Sequence, residues 1–394
     1  MSNYTQSTNF ATKDALSPGD PLKIVRGTEI NTEFTNIAVA VATKLDTTAL
    51  ASPGPIGATT PAAISCTSLN GGQLAGLRNR IINGDMSVAQ RGTSGALTTS
   101  YAYLSVDRFA GAQSTTASGV LAQVAAGLSG FSYAAKIGRT ATSTNTGAII
   151  LRSALETINS VSLQNQQVTL SFYAKAGANF SATSSNITAQ LFTGTGTDQS
   201  VSIMNTWTGS ANPINTSTAI TTTWTRYSFT ATLSATATQV GITLFYTPVG
   251  TAGADDNLYV TGVQLEVGPV ATPFEQRPIG MELALCQRYF QKSYQASTAP
   301  GTNSNVSIVS GYAAETTRVT GVVNRFPVVM RAQPNTQLYS ETGTQNVVST
   351  TSGVNAGSTM VASLVGDAGF GEIVGTGLTA NTVVRAHWTA SAEL

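Results

Sequence analysis

The sequence predicts an all-β fold: a jelly-roll sandwich and a small C-terminal β domain, with a short N-terminal helix and a connector helix between the β regions. Three observations lead there. From about Asn79 onward apolar residues recur with a period of two. Turns rich in Gly, Ser, Thr and Asn separate these runs, and no helical window of about 10–15 residues intervenes, as a parallel α/β sheet would require.

Residues 1–25 are polar and contain Pro18, Gly19, Asp20 and Pro21, too little apolar surface to fold unaided, so they are expected to order on docking to a larger particle. In the next segment, 26–46, Ile30, Phe34, Ile37 and Val41 fall at helical steps on one stripe. Thr28 is placed to cap this helix, and Glu29 and Glu33 lie where its dipole favours anions. The stripe covers about two heptads, so it must meet a partner surface, its own domain or copies of itself. Residues 47–78, with Pro53, Pro55, Pro61 and Gly71-Gly72, read as an extended linker.

The sandwich is expected over 79–277. "VTLSFYAKAG" sets Val168, Leu170, Phe172 and Ala174 against Thr169, Ser171, Tyr173 and Lys175, and "QVGITLFYT" alternates Val240, Ile242, Leu244 and Tyr246. "TRYSFTATL" alternates Tyr227, Phe229, Ala231 and Leu233, and "NLYVTGVQLEV" places Tyr259, Thr261, Val263, Leu265 and Val267 on one face. A connector helix is predicted for 278–294, with Pro278 at its first turn and Ile279, Leu283, Cys286 and Phe290 on one apolar stripe. Residues 295–394 return to β-like runs broken by Gly and Pro.

Composition excludes several functions. Asp, Glu, Lys and Arg make up 10% of the 394 residues, against roughly 25% in ordinary soluble domains. The net charge is +1 and no basic run is present, so a nucleic-acid partner is not expected. The first residues carry no apolar stretch after a basic start, and no window approaches the roughly 18 apolar residues of a membrane span. Cys66 and Cys286 are expected to be free thiols made in a reducing compartment.

No catalytic residue, metal or cofactor is assigned. The single histidine, His387, sits beside Trp388 without a nucleophile motif, and with two distant cysteines it falls short of a zinc site. Asp85, Asp107, Asp255, Asp256, Glu266 and Glu275 supply carboxylates of the kind a glycosidase pairs, but Asn83-Gly84-Asp85 and Asp255-Asp256-Asn257 read as turns. Trp224, Tyr227 and Phe229 suit a sugar-stacking platform, though strand aromatics are more often core. Tyr312, Tyr339, Phe370 and Trp388 are the C-terminal aromatics available for contacts.

"NRIINGDMSVAQRG" (79–92) and "SVDRFAG" (105–111) resemble the opening of a jelly-roll domain of bacteriophage tail fibre and receptor-binding proteins. "LYVTGVQLEVGPVATPFEQRP" (258–278) is similar to that domain's last strand and exit, "LALCQRYFQKSY" to the helix that follows, and "FPVVMRAQP" and "WTASAEL" to the distal domain. The jelly roll also resembles carbohydrate-binding modules, in which the Asp255-Asp256 turn would help to hold calcium. The resemblance implies a non-enzymatic virion tail protein assembled in the host cytoplasm. It would be a homotrimer docked to tail or baseplate proteins by its N-terminus, and its C-terminal part would bind a host surface glycan. On this reading the trimer interface draws on Ile30, Phe34, Ile37, Val41, Ile279, Leu283, Cys286 and Phe290, and receptor contacts on Tyr312, Tyr339 and Trp388, with Trp224 and Tyr227 as the sandwich alternative. A polysaccharide-degrading tailspike and a capsid decoration or baseplate protein are the alternatives.

Overall fold

A computed structural model describes residues 4–42, 76–116, 118–322 and 324–394. Two compact units divide the chain, one through Cys66 and one from Thr67. In the first, α1 (Phe10–Asp14) and α2 (Gly27–Ala42) are drawn together by carboxylates of α2. Glu33 accepts from the Tyr4 hydroxyl, the Ser7 N–H (2.9 Å) and hydroxyl (2.5 Å), and the Thr8 N–H (2.5 Å), while Glu29 pairs with Lys13 at 2.7 Å. Through these bonds Tyr4, Ser7, Thr8 and Lys13 of the 1–25 segment lie against α2. Ile30, Phe34, Ile37 and Val41 are all exposed, Phe34 at 65%. The far end of the expected helix, Cys66 and most of the 47–78 linker lie outside the described residues.

The second unit is β-rich. Its sandwich strands are β1 (Ser94–Ala96), β2 (Ala102–Tyr103), β3 (Ala110–Gln113), β4 (Gly119–Leu128), β5 (Phe131–Arg139), β6 (Ile149–Ala154), β7 (Gln167–Ala176), β8 (Asn186–Gly194), β9 (Ala211–Ala219), β10 (Thr225–Thr232), β11 (Gln239–Tyr246) and β12 (Asn257–Val267). Among the described residues they form two six-stranded antiparallel sheets, in the orders β1-β4-β5-β12-β7-β10 and β2-β3-β6-β11-β8-β9. The chain passes repeatedly from one sheet to the other, the jelly-roll arrangement. Val168, Leu170 and Phe172 of the first sheet meet Leu191, Ile242 and Leu244 of the second in a fully buried core. This is the alternation the sequence predicts for β7 and β11.

β12 departs from prediction. Its register against β7 shifts between Thr261 and Gln264, where one extra residue forms a β-bulge at Gly262. Leu258 and Val260 face the core before the bulge, and Val263 and Leu265 after it. Tyr259 and Thr261 therefore point outward, not inward with Val263 and Leu265. Gly262 has φ +61°, and a Cβ there would stand 2.8 Å from Phe131 and 2.9 Å from Tyr173, so only glycine fits.

The connector helix is shorter than expected. α3 runs Ile279–Gln287, after which β13 (Phe290–Lys292) joins the C-terminal sheet. The helix stops because neighbours capture the next carbonyls: Arg288 O accepts from Arg331 N at 3.0 Å and Tyr289 O from Ala392 N at 2.8 Å. Cys286 and Phe290 are buried within the chain, Leu283 is half-buried, and only Ile279, at 60%, is open. The four do not form one free stripe.

The C-terminal strands are β14 (Val309–Ala313), β15 (Arg318–Thr320), β16 (Asn324–Arg325), β17 (Asn335–Tyr339), β18 (Val348–Thr350), β19 (Asn355–Ala356), β20 (Ser358–Ser363), β21 (Gly369–Phe370), β22 (Glu372–Thr376) and β23 (Thr382–Ser391). β23 is the spine, its first half between β14 and β18 and its second between β13 and β17. A separate core around Met330, Leu338, Phe370 and Trp388 fills this part.

This sheet is not held away from the sandwich. Beyond β23, the Glu393 carboxylate meets Arg108, and Arg91 at 3.0 Å. Leu394 packs with Phe192, Met204 and Trp207 on the sandwich's second sheet. Arg108, fully buried, also lies 3.4 Å over the Tyr289 ring and donates to Ala154 O at 2.7 Å. Arg288 grips Glu156 with two bonds of 2.7 and 2.8 Å.

Candidate functional site

The outer face of the first sheet carries an ordered row of side chains. Tyr259 of β12 stands in register with Lys136 of β5 on one side and Lys175 of β7 on the other. Thr225 pairs with Ala174, so Trp224, one residue earlier, comes abreast of Lys175. The row across the strands is therefore Lys136, Tyr259, Lys175, Trp224, all half-buried. Lys175 Nζ lies 5.0 Å from the centre of the Tyr259 ring and 5.2 Å from that of Trp224, within cation–π range of both.

Neighbouring groups fix both rings. Trp224 Nε1 donates to Ala126 O at 2.9 Å, from the β4–β5 hairpin. The Tyr259 hydroxyl donates to Asp255 Oδ1 at 2.9 Å; burial, then this bond to a carboxylate, pushes the phenol up to about 12. Burial alone would raise Asp255, but bonds from Asn257 Nδ2 (2.8 Å), Tyr259 and the Ala178 N–H (3.1 Å) outweigh it and hold the carboxyl below its ordinary value. The hairpin that receives Trp224 is itself seated on the face: Phe131 tilts against Tyr173 at 5.3 Å and Phe274 at 5.2 Å, and Thr261 Oγ1 donates to Tyr133 O at 2.8 Å. The Gly262 bulge lets Tyr259 face outward while Leu258 and Val260 before it and Val263 and Leu265 after it all face the core.

Of the sequence-predicted contacts, Trp224 belongs to this row. Tyr227 is on the opposite face, its ring stacked on Phe172 at 5.9 Å. Tyr312 is exposed and donates to Asn381 Oδ1 at 3.2 Å. Tyr339 and Trp388 are buried, the former against Tyr294 and the latter against Phe326 and Phe370, so neither offers a surface to a receptor. The structure brings together none of these aromatics except within the C-terminal core. Lys136, Lys175 and Tyr259 were missed. The alternation of "VTLSFYAKAG" already sent Lys175 outward, whereas Tyr259 was hidden by the bulge.

The other reactive groups are structurally engaged. His387 is buried, stacked 3.8 Å from Tyr294, and held by Ser293 Oγ and Ser304 O at 2.9 Å each. Nε2 facing a carbonyl must carry the proton, and burial lowers the imidazole pKa, so this is a neutral core histidine. Asp256 pairs with Arg139, Glu266 accepts from Thr272 and Gln264, Glu275 accepts from the backbone of Arg78 and Asn79, and Asp107 accepts from Gln90. Among the described residues no group of three or more His, Cys, Asp or Glu is placed to hold a metal. On the second sheet, Phe192 and Trp207 are buried, and Gln190–Asn215 and Thr188–Ser217 bond to each other.

No family model matches the chain, and a search of curated proteins finds no match. Solved structures similar in part include the enzymatically active domain of bacteriophage CBA120 tailspike protein 4, at 13% identity and TM-score 0.29, covering 48% of this chain and 21% of that one. A CBM4 structure (16%, TM-score 0.28) overlaps 47% of this chain and 97% of its own. The CBM22-1 xylan-binding domain from Paenibacillus barcinonensis (12%, TM-score 0.30) overlaps 52% and 100%. The chain thus spans about a fifth of the tailspike domain's length. Likeness at these scores does not bear on what the outer face does.

Proposed function

We propose that the chain is a glycan-binding attachment subunit of a bacteriophage tail fibre, acting by binding and not by catalysis. The observation that carries the binding half is the row of Trp224 and Tyr259 with Lys175 between them. A sugar ring offers an apolar C–H face and a polar rim. Fixed aromatic rings flanked by hydrogen-bonding groups suit both at once. The setting, a virion tail, rests on the sequence resemblance. In that setting the first unit docks to tail or baseplate proteins, and the exposed stripe of Ile30, Phe34, Ile37 and Val41 joins three copies.

The test is binding of the full chain to capsule or lipopolysaccharide from candidate hosts. Trp224→Ala is expected to weaken binding about 10–30-fold, the usual effect of truncating a central aromatic contact. Tyr312→Ala is expected to leave it unchanged. Unaltered binding by the Trp224 variant would remove this face from the reading.

A further inference from the structure

We infer that the outer face selects an anionic sugar, one whose carboxylate or phosphate reaches Lys175 while its ring lies against Tyr259 or Trp224. The inference rests on the glycan-binding reading and names the ligand class. Residues 79–277 contain only two lysines, Lys136 and Lys175, and these are the residues in register with Tyr259 on its two sides. Several other cations of the sandwich have oxygen partners, Arg139 on Asp256, Arg108 on Glu393 and Arg226 on Ser171, while the Arg80 Nε is buried without one. Lys136 and Lys175 have neither a hydrogen bond nor an ion pair to any described residue.

A half-buried ammonium gives up part of its hydration, a cost that an anion at the face would offset. Asp255 feels the charge of Lys136 but turns its oxygens to other donors: Oδ1 takes Asn257 and Tyr259, and Oδ2 takes Ala178. Two lysines against this one carboxylate leave the row one positive charge in excess. The aromatic rings fix where an anion arrives. Lys175 sits between the two, so a sugar stacked on either has its substituents within reach of the same ammonium. Although the chain carries few charges, recognition at this face is charge-dependent.

The experiment is retention of the full chain on immobilised polymers: polygalacturonate and its methyl ester, polysialate, phosphomannan, and neutral dextran and mannan. Methyl esterification keeps the sugar and removes the charge. The expected result is retention on at least one acidic polymer, at least about tenfold weaker on its neutral counterpart, and falling about tenfold between roughly 50 and 500 mM salt. Lys175→Gln is expected to lose that preference, and Lys136→Gln part of it, both keeping the wild-type melting temperature. Whether uronate, sialate or phosphate is retained identifies the anion. Equal retention on acidic and neutral polymers, or an unchanged Lys175→Gln, would overturn the inference and leave the glycan reading standing. Failure on every polymer and on bacterial surface extracts would overturn both.

Discussion

Arg139 is surrounded by oxygen. Its guanidinium meets Asp256 at 2.6 Å, Ser181 Oγ at 3.0 Å, and the carbonyls of Asn145 (2.9 Å), Gly250 (2.8 Å), Val249 (3.1 Å) and Ser143 (3.3 Å). One buried cation thereby ties three loops together. Replacing it with Ala leaves Asp256 buried and unpaired, which should cost about 3–5 kcal/mol in urea unfolding. The vacated carboxylate and carbonyls are hard oxygen donors of the kind calcium takes. Millimolar calcium should therefore raise the melting temperature of Arg139→Ala and leave the wild type unchanged. A second buried charge sets a pH dependence. Burial, only partly offset by Arg91 and Gln90, pushes the Asp107 carboxyl up to about 6. The folded state then holds a proton that the unfolded chain has released, so this group's contribution is full below the ordinary carboxylate range and is lost as pH rises from about 4 to about 6. The loss is on the order of 2–3 kcal/mol, and Asp107→Asn should flatten the profile measured by urea unfolding across that window.

At the scale of elements, period-two runs located four of the twelve sandwich strands, β7, β10, β11 and β12, and gave the facing of β7, β10 and β11, because an alternating strand against a core has only one workable register. Two elements were illegible because their causes lie elsewhere in the chain. The bulge in β12 depends on Phe131 and Tyr173, which close over Gly262 from β5 and β7, and no pattern within β12 announces it. The helix after Pro278 is cut short by segments more than forty residues later in sequence, through Arg331 before β17 and Ala392 after β23. Gly262→Ala tests the bulge. A methyl group at φ +61° and within 2.8 Å of Phe131 should destabilise the fold by about 1–3 kcal/mol and weaken glycan binding by displacing Tyr259. A variant with wild-type melting temperature and binding would show that the bulge does not set the row.

In the whole molecule, the segments that carry the family resemblance mostly build the joint, and only one of them, 258–278, also reaches the binding face, through Tyr259. Asn79 Oδ1 and Nδ2 bond Leu265 N (3.1 Å) and Val263 O (3.0 Å), tying the chain's approach to β12. Arg108, Tyr289 and Glu393 then lock the C-terminal sheet to the sandwich. These positions were easy to recognise because joints need particular charged partners. The face has no such obligation, and its Lys136, Tyr259 and Lys175 meet only through the register of three strands. The C-terminal core buries Tyr339 and Trp388, two of the aromatics expected to serve recognition there, which moves the proposed contact to the sandwich. Side-chain footprinting by hydroxyl radicals, on the full chain with and without a bound bacterial surface polysaccharide, tests this most directly. Protection concentrated on Trp224 and Tyr259, with Tyr312 unchanged, is the predicted result; protection of Tyr312 with Trp224 and Tyr259 still fully reactive would contradict it.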